Sequence, residues 1–198
     1  MDDKVLVEAQ IATELREIVA VLTERLGLPS RWSGQVEIVP DAGFKGKKRF
    51  TCDILIDAAL AAQEVRWATL IHEALHSVSS CYIGTDYRDF PGWEEGVVER
   101  LQRLFRPIIL ARLGVTVPEN AFHAAEEKHN YNKYIAALER VRAGLSLTEE
   151  EFYVNLLKTP IKDRFSYAIS LGDRLENRER TVFLYVLSAT NSVLKDFV

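Results

Sequence analysis

Two histidines, His72 and His76, flank Glu73 in the segment HEALH, and these side-chain types at this spacing are typical of a metal site. On a helix, positions four apart differ by about 40° around the axis, so the two imidazoles project side by side and can bind one ion. Glu73 lies one position further round the helix, beside the metal, without being needed as a ligand. The spacing predicts a zinc site on a helix.

A third ligand has to come from another part of the chain. Glu94 and Glu95 are candidates, and eighteen residues separate His76 from Glu95. Cys81 is a weaker alternative, because a thiolate also binds zinc. Three protein ligands leave a fourth position for water, which distinguishes a catalytic zinc site from a closed structural one. The residues alone leave the choice between the two glutamates open.

The spacing of apolar residues predicts the elements that position these side chains. Residues 4–26 repeat apolar side chains at helical spacing and predict an amphipathic helix. Residues 35–39 and 50–57 alternate, and predict two strands joined by a turn over 43–49. The run 58–80 predicts the helix that carries HEALH, with one face packed and the other bearing the chemistry.

The rest of the chain reads as helical. A loop is expected over 84–92, and a helix near Trp93 that Pro107 kinks or divides. Thr148, ahead of Glu151, is a predicted helix cap. Further breaks are expected near Gly144, Pro160 and Gly172. The sequence therefore predicts an α+β fold, with a zinc module over 1–115 and a mainly helical subdomain over 116–198.

Composition excludes several classes of protein. The chain has 198 residues, 47% of them hydrophobic, and a net charge of −4, which is typical of a folded globular protein and gives no electrostatic footprint for nucleic acid. No apolar run is long enough to cross a membrane, and the start lacks a signal peptide, so a cytoplasmic location is expected. Cys52 and Cys81 are then expected to be buried thiols.

The HEALH motif, the eighteen-residue spacer and the pair Glu95-Gly96 resemble the gluzincin metallopeptidases, which include thermolysin-like enzymes and zinc aminopeptidases. The resemblance covers about residues 50–105 and implies a zincin-like module. Because those aminopeptidases have a glycine after the ligand glutamate, it favours Glu95 over Glu94. Thermolysin-like enzymes also have an aspartate four residues after that ligand, so Glu99 is expected to contact a ligand histidine from outside the metal sphere.

The resemblance implies a Zn²⁺-dependent peptidase. Zinc would lower the pKa of a bound water toward about 7, and Glu73 would remove a proton as this water attacks a carbonyl carbon. A second donor to the oxyanion is expected downstream of Glu95. Tyr153 is the first candidate, ahead of the other tyrosines and histidines in that region, which are His123, His129, Tyr131, Tyr134 and Tyr167.

The expected substrate is a peptide or protein. In zincins the strand before the active-site helix forms the edge of the cleft, and residues 50–57 occupy that position, although an internal strand fits the pattern equally well. The glycine-rich motif of the aminopeptidases is missing, so an endopeptidase is favoured. Two alternatives are a hydrolase of non-peptide amides and a regulatory protein whose zincin-like site is occluded. Nothing in the sequence indicates an oligomeric state.

Overall fold

The computed structural model describes residues 3–49, 51–80 and 84–196. The fold is α+β, as predicted. Its elements, in chain order, are α1 (Asp3–Leu26), β1 (Val36–Val39), β2 (Gly46–Lys48), β3 (Ile54–Asp57), α2 (Ala58–Ala61), α3 (Arg66–Val78), α4 (Gly84–Asp89), α5 (Pro91–Arg112), α6 (Asn120–Glu127), α7 (Asn132–Arg142), α8 (Glu149–Lys158), α9 (Arg164–Leu171) and α10 (Asn177–Lys195).

The chain divides into two compact units, each assembled from separate stretches of sequence. The sheet unit comprises residues 1–79 and 102–125, and the helical unit comprises residues 80–101 and 126–198. The division into a catalytic module over 1–115 and a helical subdomain over 116–198 stays a prediction.

The sheet unit is built around α1 and α3. The predicted helix over 4–26 is confirmed, and it buries the apolar residues that recur every three or four positions, namely Ile11, Leu15, Ile18, Leu22 and Leu26. This stripe faces α3 and the sheet, because α1 contacts both α3 and β1. The HEALH helix therefore has an apolar support along its length.

The sheet has one strand more than the two that the sequence predicts. The described residues form three strands in the order β1-β3-β2, with β1 parallel to β3 and β2 antiparallel to it. Strands form within both predicted segments, 35–39 and 50–57, but the predicted turn over 43–49 is wrong because β2 forms there, in a stretch whose glycines and lysines are typical of a turn. Lys48 is buried rather than solvated.

The position of β3 overturns a second expectation. β3 begins at Ile54, and the stretch before it includes a turn in which Cys52 adopts a left-handed conformation with φ of 66°; Phe50 lies outside the described residues. Because β3 pairs on both sides, it is the central strand of the described sheet. Of the two interpretations left open for residues 50–57, the internal strand is therefore confirmed and the cleft-edge strand is wrong, and β2 is the edge strand on that side.

Three helix predictions also need correction. The run 58–80 is split, because Asp57 caps the short α2 by accepting hydrogen bonds from Ala59 N and Leu60 N, and α3 starts afresh at Arg66. The predicted loop over 84–92 contains α4. Of the two outcomes expected at Pro107, the division is wrong, because α5 continues through it to Arg112, and the kink stays a prediction.

The helical unit contains the capping box that the sequence predicts. Thr148 Oγ1 accepts a hydrogen bond from Glu151 N, and the Glu151 carboxylate accepts one from Thr148 N, so α8 begins at a fixed point. The core of the helical unit is formed by α7 and α10, which contact each other extensively, together with α8 and α9. Across the described residues, every helix is too short or too polar to cross a bilayer.

Candidate metal centre

The two histidines of HEALH face each other on α3. His72 Nε2 and His76 Nε2 lie 3.1 Å apart, and the rings meet edge to face at 79°. Two nitrogens bound to one zinc at about 2.0–2.1 Å in tetrahedral geometry are about 3.3 Å apart. The pair is therefore spaced as two ligands of one ion would be, which is what the four-residue helical spacing predicts.

These side chains are more enclosed than the sequence predicts. His72, Glu73 and His76 are each less than a tenth exposed, at 9%, 5% and 4%. The apolar face of α3 is buried too, at Trp67, Ile71, Ala74, Leu75 and Val78. The helix is thus surrounded on both faces, and the polar face is a shielded site rather than a solvated surface.

Glu95, the favoured third candidate, lies near the pair. One ligand atom from each of His72, His76 and Glu95 lies within 4.8 Å of the others. Because a tetrahedral site needs separations of about 3.3 Å, closing this group around an ion requires movements of at most about 1.5 Å. Two imidazoles and one carboxylate suit Zn²⁺, and three ligands leave a position open for water.

Glu94, the competing candidate, has a different partner. Its Oε2 lies 2.7 Å from Arg164 Nη2, and neither side chain is exposed. Burial lowers the pKa of Arg164, and the nearby negative charge of Glu94 opposes that effect. Glu94 therefore belongs to a buried ion pair, whereas Glu95 belongs to the group around the histidines.

The close packing of α5 against α7 explains why a glycine follows Glu95. A Cβ added to Gly96 would lie 2.9 Å from both Tyr134 Cβ and Leu138 Cδ1, so α5 meets α7 there without room for a side chain. The same holds at Gly92, where an added Cβ would lie 2.6 Å from Tyr134 Cδ1 and 2.8 Å from Leu194 Cα. The Glu-Gly pair thus combines a candidate ligand with a close helix contact.

Tyr87 is a site residue that the sequence reasoning missed. Its hydroxyl donates a hydrogen bond of 2.5 Å to Glu95 Oε1. A hydroxyl bound to a carboxylate at this distance makes a strong, charge-assisted hydrogen bond, which fixes the orientation of Glu95. Tyr87 was hidden because it lies on α4, a helix that the turn-rich segment 84–92 did not predict.

The edge strand β2 lies against Glu73. A Cβ added to Gly46 would fall 2.4 Å from Thr69 Cγ2 and 3.1 Å from Glu73 Oε1, and β2 contacts α3. Only a residue without a side chain allows this approach. Gly46 was read from the sequence as part of a turn, so its role beside Glu73 was also missed.

Glu99 lies on α5 one turn after Glu95 and is 5% exposed, so it is not a surface residue. Its predicted role behind a ligand histidine stays a prediction.

Cys52 is only half-buried, so the expectation of a buried thiol is wrong for it. Cys81, the alternative ligand, lies outside the described residues.

Tyr153, the predicted oxyanion donor, lies on α8 with its side chain fully buried. Burial, together with the negative charge of Glu139, raises the pKa of its hydroxyl, which lies near that carboxylate without reaching hydrogen-bond geometry. The catalytic role of Tyr153 stays a prediction. Among the other candidates, Tyr134 donates its hydroxyl to the backbone oxygen of Asp196, and His123 is exposed.

Comparisons with known proteins find no matching family, no matching curated protein and no matching solved structure.

Proposed function

We propose that this chain is a zinc-dependent metallopeptidase in which His72, His76 and Glu95 bind Zn²⁺ and Glu73 is the general base. The observation that carries the proposal is the buried group of two imidazoles with facing Nε2 atoms and one carboxylate oxygen, all within 4.8 Å. Glu73, on the same helix, is the adjacent buried base. A location in the cytoplasm fits this proposal and is part of it.

When bound, zinc supplies Lewis-acid activation of water and polarises the carbonyl of the substrate. Glu73 accepts a proton from the attacking water as its oxygen bonds to the carbonyl carbon. When the C–N bond breaks, Glu73 passes that proton to the departing amine nitrogen. Because Glu73 is enclosed, its carboxylate acts in a site where electrostatic interactions are stronger than in water.

Two hydroxyl groups compete to donate a hydrogen bond to the oxyanion. The sequence favours Tyr153, whose hydroxyl lies in the core of the helical unit. The alternative is Tyr87, whose hydroxyl already reaches the carboxylate of the proposed ligand Glu95. Glu99, buried one turn further along α5, is proposed to hold a ligand histidine by hydrogen bonding.

A zincin-like module and a peptide substrate are supported by the sheet. β2 is an antiparallel edge strand that precedes β3 and the HEALH helix and lies directly beside Glu73. An extended peptide can add to such an edge through backbone hydrogen bonds. A peptide bound in this way would have its scissile bond near Glu73, which favours the proposal of internal cleavage.

The proposal is tested with purified protein before and after removal of metal by a chelator, and after zinc is added back. The substrates are a mixture of unstructured peptides and, separately, small non-peptide amides. The decisive variant is Glu73→Gln, which keeps the shape of the side chain but removes the base. We expect Glu73→Gln to bind zinc as the wild type does and to lose about 10²–10⁴-fold in kcat.

Glu64→Gln is the matched control, because Glu64 is an exposed glutamate of the sheet unit. It is expected to keep full activity. Peptide cleavage that persists in Glu73→Gln, or that does not depend on zinc, contradicts the proposal. Turnover of small amides without any peptide cleavage would instead identify a zinc hydrolase of non-peptide amides with the same residues.

A further inference from the structure

The segment around Glu95 is fixed by residues far along the chain. Trp93 Nε1 donates a hydrogen bond of 2.9 Å to Asn191 Oδ1, and its ring packs against that of Phe165. Gly92 and Gly96 lie too close to α7 and α10 to carry a side chain. Gly92, Trp93 and Gly96 are thus each in contact with α7, α9 or α10.

Arg164, the first residue of α9, binds this segment at two points. Nη1 donates a hydrogen bond of 2.6 Å to the Trp93 backbone oxygen, and Nη2 pairs with Glu94 Oε2 at 2.7 Å. Its Nε donates to the Thr159 backbone oxygen at 3.1 Å. One guanidinium group therefore ties the two residues before Glu95 to the connection between α8 and α9.

A buried ion pair contributes little to the stability of a fold, because removing both charges from water costs free energy. Arg164 and Glu94 are both 0% exposed, and replacing such a pair by apolar side chains of similar size is often neutral or stabilising. What apolar side chains cannot supply is direction, because a planar guanidinium binds its partners at fixed angles. The pair accordingly points to a need for defined geometry at this position, next to Glu95.

We propose that Arg164 is a positioning residue for the metal site: it fixes the backbone of Trp93 and Glu94 so that Glu95 is held in place as the third ligand. Residues of α7, α9 and α10 are then the support for the proposed ligand Glu95. This inference rests on the proposed function, since it takes Glu95 as a ligand of zinc.

The test compares two variants with the wild type in the full chain. Arg164→Lys keeps the charge opposite Glu94 but loses the planar group that reaches Glu94 and the Trp93 oxygen together. The double variant Glu94→Met with Arg164→Met removes both charges, so no lone buried charge remains to unfold the protein. Zinc affinity is measured by competition with a chromophoric chelator, and folding by circular dichroism and thermal unfolding.

We expect both variants to be folded and to raise the dissociation constant for zinc by about tenfold or more. With Co²⁺ in place of zinc, we expect their absorption spectra to differ from that of the wild type, because the ligand geometry has changed. A purely structural role would lower the unfolding temperature and leave that spectrum unaltered. Arg180→Met is the matched control, since it breaks an exposed ion pair with Asp173 in the same unit.

Glu95→Gln, measured in parallel, distinguishes an error in the proposed ligand set from an error in the role of Arg164. If Glu95→Gln binds zinc as tightly as the wild type, the proposed ligand set is wrong. If Glu95→Gln loses zinc while Arg164→Lys binds it within twofold of the wild type and with the same Co²⁺ spectrum, the inference about Arg164 is overturned and the ligand set stands. Should the double variant not fold, Arg164→Lys alone decides.

Discussion

The histidine pair and Glu95 are both buried, but they are held in different ways. His72 and His76 lie on one helix, so α-helical geometry alone sets the distance between their Nε2 atoms, and α3 is supported by apolar residues such as Leu75. Glu95 lies on a segment fixed by polar groups that come from far along the chain, including Arg164.

The contacts around α3 contribute mainly to the stability of the fold, whereas those around Glu95 set the orientation of a side chain. Apolar packing around α3 is non-directional, so it stabilises the helix without setting the angle of an imidazole. The hydrogen bonds and ion pair around Glu95 are directional, and they fix where a single carboxylate points. Substitutions in the first region should therefore change mainly the free energy of unfolding, and substitutions in the second should change mainly metal affinity.

The largest expected effect on stability comes from Leu75→Ala. Leu75 is fully buried on α3 beside His76, so its truncation should lower the free energy of unfolding by about 2–5 kcal/mol. The zinc dissociation constant of the folded variant should stay within about threefold of the wild type, because the helix keeps both imidazoles in register. Urea unfolding and chelator competition measure the two quantities. A tenfold weaker zinc affinity in folded Leu75→Ala would show that apolar packing around α3 also sets the geometry of the metal site.

Gly46→Ala is expected to have an intermediate effect. The added methyl group would overlap Thr69 Cγ2 and press on Glu73 Oε1, which should cost about 1–3 kcal/mol of stability. Because Glu73 is the proposed base and not a ligand, kcat should fall while zinc affinity does not change. Adding Thr69→Ala relieves the closest overlap and should restore most of the stability. A variant with normal kcat would show that β2 does not position Glu73.

The tyrosine variants are expected to have the smallest effects on stability and the most selective effects on the site. Tyr87→Phe removes the hydrogen bond to Glu95 and should weaken zinc binding by about 10–100-fold. Tyr153→Phe removes a buried hydroxyl that has no hydrogen-bond partner among the described residues, so it should be neutral or stabilising by about 1 kcal/mol and leave zinc affinity unchanged.

Activity assays on Tyr153→Phe test whether its hydroxyl donates a hydrogen bond to the oxyanion. We expect Tyr153→Phe to keep kcat within about twofold, because the side chain is fully enclosed in the core. If kcat falls about 10²-fold in Tyr153→Phe with zinc binding intact, the role predicted for Tyr153 from the sequence is supported instead.

The parts of the site that could be predicted from the sequence are those set by local geometry. The pairing of His72 with His76 follows from helical periodicity, and the start of α8 follows from the side chains of Thr148 and Glu151. Grouping Glu95 with the histidines needed a spacing known from another family, because nothing local distinguishes it from Glu94.

What could not be predicted depends on contacts between distant parts of the chain. Arg164 and Tyr87 carry no periodic or compositional signal, and only the folded chain brings them to Glu94 and Glu95. The strand β2 was missed because a short edge strand rich in glycine and lysine has the composition of a turn. Its role depends on the pairing with β3, which a three-residue segment does not reveal.

The central claim, that His72, His76 and Glu95 bind one zinc ion, is tested most directly by zinc stoichiometry and affinity in the wild type and in Glu95→Gln. Glu179→Gln, an exposed glutamate on α10, is the control. We predict one zinc per chain for the wild type and the control, and a dissociation constant raised by about 100-fold or more in Glu95→Gln. Wild-type protein that binds no zinc, or Glu95→Gln with unchanged affinity, would contradict the claim.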